Sequence, residues 1–325
     1  MNNQLNLNEF FNTLCLAGGG VSGIIYLGIL NYLDNNNYLN LSLFDKFCGT
    51  SIGAAISFLF ALNYTITEIM DFILEFNIKT LEFDYNIDNI VNIFNNFGLD
   101  EGKKFNIIFS NFIFNKYDIY DITFKELFDL TKKKLLIIGT NLTTASEELF
   151  SIDTTPDMSV LIALKISMCV PLLFSPVNYN SYYYLDGGLI NNFPIDYCNI
   201  ETTLGICLVL DGKQKNIKID NIFSLLKNSI KIILQSIGKQ KNINNNNNII
   251  KVNQIFNNNF DFNIDLETKK ELIEYGEKCA IEFIKTFIEE KELKKNSTEL
   301  NNLINSELII NKNFESKFTQ TEIQN

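Results

Sequence analysis

Within its first 62 residues the chain repeats one short event: an apolar segment runs into a tight turn of small residues, and the turn opens straight into a helix-patterned stretch. TLCLAGGG, Thr13–Gly20, reads as a buried strand ending in three glycines, and VSGIIYLGILNYLD after it carries apolar residues at helical spacing. FDKFCGT, Phe44–Thr50, is a second strand, followed at once by the apolar helical stretch SIGAAISFLFAL. Two strand–turn–helix units this close together favour parallel pairing, because each helix carries the chain back before the next strand starts. The predicted class is therefore α/β, with helices covering a central, mostly parallel sheet.

The remaining pattern extends that sheet. Residues 64–130 are mainly helical and rich in Phe and Asn, an excursion over the sheet; Lys133–Thr144 is a clear strand, with the hairpin-like ASEELFSI behind it. Pro171 and Pro176 break helix and redirect the chain. YYYLDGGLINNFP reads as a strand ending in a tight turn, Thr203–Asp211 as another buried strand, and an amphipathic helix begins near Leu266. Asn244–Asn248 is a low-complexity loop, and beyond Glu290 the chain is polar and charged. The domain reading is an N-terminal extension over 1–12, one α/β domain over 13–288, and a polar tail over 289–325. At 46% hydrophobic residues, the sequence can bury a sizeable core.

Composition removes several classes of function. A net charge of −11 argues against a nucleic-acid partner, which needs a basic face. The chain has no histidine, which removes every mechanism that uses an imidazole as base or metal ligand. The absence of Trp and Arg fits AT-rich coding and carries no functional weight. Six cysteines, Cys15, Cys48, Cys169, Cys198, Cys207 and Cys279, are scattered without a CxxC pair. They read as buried reduced thiols, so neither a disulfide scaffold nor a metal site is expected. No apolar run approaches the ~20 residues that span a bilayer. The polar N-terminus lacks the basic start and apolar centre of a secretion signal, which places the chain in the cytoplasm.

Three motifs carry chemistry. Gly49-Thr50-Ser51-Ile52-Gly53 fits G-x-S-x-G, in which a strained strand-to-helix turn projects the serine oxygen and the glycines let backbone pass close by. With no histidine, another base must take the serine proton. Asp186 in Asp186-Gly187-Gly188 is the candidate, because a strand end holds it rigidly and two glycines leave room for approaching backbone. Gly18-Gly19-Gly20-Val21-Ser22-Gly23 fits G-x-G-x-x-G, which serves either a dinucleotide or, through its backbone N–H groups, an oxyanion. A dinucleotide site wants an acidic residue at the end of the next strand; here that strand ends in G-T-S-I-G, which favours the oxyanion.

Glycine loop, serine elbow and Asp-Gly turn, in this order, resemble the patatin-like phospholipase family. TFKELFDLTKKKLLIIGTNLTT, ALKISMCVPLLFSPV and ELIEYGEKCAIEF look like further blocks of that family, so the likeness spans about residues 13–288. The resemblance implies a three-layer α/β/α patatin-like fold, esterase activity on glycerolipid acyl chains, phospholipid or another glycerolipid as substrate, and a Ser–Asp dyad without cofactor. It makes Ser51 the nucleophile, Asp186 the proton acceptor, and Gly19 and Gly20 the oxyanion donors. Ser22 departs from the pattern, since the family usually has a basic residue there. Two rival readings follow: a catalytically weak lipid-binding member of the family, or a nucleotide-binding protein using Gly18–Gly23.

One further segment reads as a membrane contact. Between Lys213 and Lys251 eight lysines stand against one acid, Asp220, and Ile219, Ile222, Phe223, Leu226, Ile230, Ile233, Leu234 and Ile237 fall within about 120° of a helical wheel. Such a helix can lie on an anionic membrane surface or pack its apolar stripe on the sheet.

Overall fold

The computed structural model describes residues 5–81, 97–209, 246–253, 264–291 and 293. The proposed membrane helix lies outside these residues over 213–245, and so does the polar tail beyond 293. The chain divides into two compact units, Met1–Ala280 and Ile281–Asn325.

The first unit is a mixed α/β structure with a central sheet flanked by helices. Strand β1 (Thr13–Leu16) leads through a 3-10 turn, Gly20–Ser22, into helix α1 (Gly23–Asn35), and β2 (Lys46–Thr50) leads into α2 (Ile52–Ala61). Helix α3 (Ile66–Glu75), the short strand β3 (Gly98–Asp100), α4 (Lys103–Tyr117) and α5 (Phe124–Thr131) make the excursion expected over 64–130. Strands β4 (Lys134–Asn141) and β5 (Ser146–Phe150) form the hairpin, α6 (Val160–Ser167) follows, and β6 (Leu172–Phe174), β7 (Val177–Tyr179) and β8 (Tyr182–Asp186) end at the Asp-Gly turn. Strands β9 (Thr203–Val209) and β10 (Ile249–Asn253) complete the sheet. A further helix begins at 266.

Both early strand–turn–helix units pair as expected. Strands β10, β9, β1, β2 and β4 lie side by side and parallel, with Thr13 opposite Lys46 and Thr203, and Thr50 opposite Ile138. The strands are almost continuously buried, as a parallel sheet covered on its faces requires. Antiparallel strands β5, β8 and β7 finish one end, and β3 pairs with β6 in a separate two-stranded sheet. The small strands β3, β6, β7 and β10 have no distinct periodicity in the sequence.

Register explains how the site is brought together. Residues 134–138 of β4 pair with β2, residues 139–141 pair with β8, and residues 137–141 pair with β5. Since β5 takes one edge of β4, β2 and β8 must share the other. They approach each other end-on: β2 stops opposite Ile138, and β8, running the opposite way, stops with Asp186 opposite Gly139. The last residues of the two strands are thus neighbours along one edge of β4.

Candidate active site

Ser51 caps the N-terminus of α2 at φ 54° and ψ −125°, a conformation that L-residues avoid. A non-glycine residue held there stores about 1–3 kcal/mol, and persists only where its surroundings over-determine it. The flanking glycines show how that is done. A Cβ on Gly49 would lie 2.3 Å from the backbone of Gly53, and one on Gly53 would lie 2.3 Å from the carbonyl oxygen of Leu16. Strand and helix are pressed together around the elbow with no room for a side chain. The Ser51 N–H donates to Ser167 Oγ at 2.9 Å, and Thr50 Oγ1 donates to the carbonyl of Asn191 at 2.9 Å.

Asp186 ends β8 at 3% exposure. Its carboxylate accepts the Gly188 N–H at 2.7 Å, and the Ser51 side chain lies beside it. Its backbone is pinned as well, N–H to the Cys169 carbonyl at 2.8 Å and carbonyl to Thr140 Oγ1 at 2.9 Å. A Cβ on Gly187 would meet the Ile138 carbonyl at 2.3 Å, so the chain leaving Asp186 passes directly over β4. Burial pushes the carboxyl from an ordinary value near 3.8 up to about 7, against the pull of the Gly188 N–H and the neighbouring Ser51 side chain. A carboxylate poised near neutrality can take a proton from a serine and return it.

The glycine loop abuts Ser51 and the chain that follows Asp186. A Cβ on Gly18 would approach Ser51 Cβ to 3.2 Å and Asn192 Oδ1 to 2.4 Å. The Gly18 N–H donates to the Asn192 carbonyl at 2.9 Å, and Asn192 Nδ2 donates back to the Gly18 carbonyl at 3.1 Å. The amides of Ser22 and Gly23 turn back onto the loop's own carbonyls. Among the described residues, the amides of Gly19, Gly20 and Val21 make no hydrogen bond, which leaves them free to receive an oxyanion. Gly20 has φ 54°, a left-handed turn that suits glycine. Gly23 lies against Ile52, where a Cβ would come within 2.6 Å of its side chain. Ser22, in place of the usual cation, is fully buried.

Ser51 also lines an apolar cavity of about 140 Å³, walled by Ile56, Phe72, Phe109, Phe112 and Phe174. Val21 is part of the same wall. Two helices of the excursion, α3 and α4, supply the aromatic side, with Phe72 and Phe112 edge to face at 4.8 Å.

Every catalytic residue expected from the motifs therefore converges: Ser51, Asp186 and the loop Gly18–Gly23 meet, with Gly49, Thr50, Ile52, Gly53, Gly187 and Gly188 shaping the turns. The sequence gives no sign of Ser167, Asn191 or Asn192. These tie the three segments together across separations of more than 100 residues, and no local pattern marks them.

The six cysteines are free and mostly buried, as read from the sequence, but their spacing hides one feature. The cysteines are dispersed in sequence but not in space: Cys15, Cys48 and Cys198 place their sulfur atoms within 4.8 Å of one another. Cys15 and Cys48 are register partners on neighbouring strands, a pairing that spacing along the chain does not reveal.

Among the described residues, no helix is long and apolar enough to cross a membrane. A structure of VipD from Legionella pneumophila superposes with a TM-score of 0.57 at 17% identity, covering 86% of this chain and 67% of that one, a likeness of fold. An uncharacterized protein, R571 of Acanthamoeba polyphaga mimivirus, is 29% identical over 288 residues, 82% of this chain and 91% of its own length. A "probable lipid hydrolase", 463L of Invertebrate iridescent virus 6, is 35% identical over 197 residues, 58% of this chain. The matched region spans 63% of that relative's length. The family description "Patatin-like phospholipase" matches residues 14–198, more than half of the chain and all three motifs. The chain belongs to the patatin-like phospholipase family.

Proposed function

We propose that the protein is a lipid acyl hydrolase that cleaves fatty-acyl esters of glycerolipids through Ser51 and Asp186. The observation that carries this reading is the Ser51 side chain, set beside a buried carboxylate and lining an apolar cavity. The acyl chain lies along Phe72, Phe109 and Phe112, where burial of each methylene contributes about 0.8 kcal/mol. Asp186 accepts the proton as Ser51 Oγ bonds to the ester carbonyl carbon, and the oxyanion that forms is held by the Gly19 and Gly20 amides. The tetrahedral adduct collapses, the carbon–oxygen bond to the alcohol breaks, and the proton on Asp186 passes to the departing alkoxide. Water then gives its proton to Asp186, attacks the acyl–Ser51 ester, and releases the fatty acid as the proton returns to Ser51.

No step in this cycle needs a metal or cofactor. The dinucleotide reading loses ground on geometry: Gly18 gives its amide to Asn192, and Gly19 lies against Leu208. A lipid-like fluorophosphonate tests the proposal. It should modify one serine per chain, mapped to Ser51 by peptide mass, and only in protein that hydrolyses a phospholipid. Protein that stays unmodified and inactive on every glycerolipid ester tried would leave the weak lipid-binding reading in its place.

A further inference from the structure

Outside the acyl-hydrolase machinery, the densest group of reactive side chains is the cysteine triangle beneath it. Cys15 lies in β1, three residues before Gly18. Cys48 lies in β2, three residues before Ser51. Cys198 closes the loop that starts at Asp186 and carries Asn191 and Asn192. Each of the three segments that build the catalytic site therefore sends one thiol to a single point.

We infer that Cys15, Cys48 and Cys198 form a three-thiolate site for one thiophilic d10 cation, zinc or copper(I), which clips the glycine loop, the nucleophile elbow and the aspartate loop together. Three sulfurs around a metal with bonds of about 2.3 Å stand about 4 Å apart, so sulfurs already within 4.8 Å need only a small tightening. Thiolates select soft d10 ions over magnesium or calcium. The Pro194 carbonyl faces the triangle and accepts from Cys48 Sγ at 3.7 Å, which offers an oxygen for a fourth position. Ala17, Leu136, Phe193, Ile195 and Ile249 otherwise enclose it in apolar surface. Three thiolates and a divalent ion leave one negative charge, and Lys46 stands over it, its Nζ fixed to the Tyr197 carbonyl at 2.9 Å. Cys198 is only half-buried and gives the ion a way in. Binding replaces three S–H protons, or fewer where a thiol is already ionised, by one cation.

The clip touches no reacting atom, so its test is made on the full chain carrying Ser51→Ala and is independent of hydrolysis. Reduced, chelator-stripped protein is titrated with cadmium while sulfur-to-cadmium charge-transfer absorption is followed, then challenged with zinc. One equivalent should bind, zinc should displace it, and the midpoint of thermal unfolding should rise. Cys198→Ser should weaken binding at least ~100-fold, the scale reached even by loss of an outer partner, whereas Cys279→Ser should not. Alkylation with mass mapping covers the case in which Cys198→Ser does not fold: metal should protect Cys198 in the parent protein and leave Cys279 reactive. No stoichiometric thiolate absorption, or equal labelling of Cys198 with and without metal, would overturn the assignment and leave three packed thiols.

Discussion

Replacing Asp186 by Asn should inactivate the protein and stabilise it at the same time. The carboxyl is fully enclosed, and burial holds it near 7 against an ordinary 3.8. Because the native state keeps its proton to higher pH than the unfolded chain does, native stability is greatest below about pH 4 from this group and declines as pH rises towards 7. The decline amounts to ~4 kcal/mol by linkage, an upper value for one site. Asn cannot ionise, yet its Oδ1 can still accept the Gly188 N–H, so the variant avoids that cost. Urea unfolding of wild type and Asp186→Asn at pH 5 and pH 8 measures it directly. The variant's advantage should grow by up to ~3 kcal/mol across that range. Hydrolysis should fall by about three orders of magnitude or more, and the double variant with Ser51→Ala should lose little beyond either alone, since the two residues act as one unit. In wild type, kcat/KM should drop on the acid side with a midpoint near pH 7, because only the ionised carboxylate accepts the serine proton. Parallel stability of the two proteins at both pH values would refute the raised carboxyl. An Asn variant retaining a tenth of the activity would refute Asp186 as the base.

Ser51→Ala should abolish turnover and keep the fold, but it leaves a Cβ at φ 54°; Ser51→Gly should be more stable than the Ala variant by about 1 kcal/mol in urea, and equal stabilities would show that the elbow holds no strain. Ser167→Ala removes the acceptor of the Ser51 N–H and should cost about 1–3 kcal/mol of stability, with kcat reduced more than KM is raised. A rise in KM alone would place Ser167 in substrate binding instead. Hydrolysis at a temperature well below unfolding should continue in excess EDTA and gain nothing from calcium; loss on chelation with recovery by calcium would contradict a metal-free acyl transfer.

Much of this site is legible in the sequence because its chemistry imposes local shape. G-T-S-I-G and Asp186-Gly187-Gly188 are recognisable because a side chain at Gly49, Gly53 or Gly187 would strike the backbone of Gly53, Leu16 or Ile138 at 2.3 Å, so each position demands glycine and the demand is written in the sequence even where the partner is distant. The α/β class is legible for a similar reason, since two strand–turn–helix units announce parallel pairing before any partner is known. The absence of histidine from the sequence directs attention to a carboxylate base without any structure.

Other features belong to tertiary structure alone. Ser51 and Asp186 meet because β2 and β8 run head to head along one edge of β4, and the pairing register is set by contacts that no segment contains by itself. The Ser167 and Asn191–Asn192 ties depend on the same convergence. The lift of Asp186 towards 7 comes from burial, which only the folded chain supplies. The cysteine triangle is the plainest case. Sequence spacing disperses Cys15, Cys48 and Cys198, whereas parallel pairing sets the first two side by side and the returning aspartate loop delivers the third.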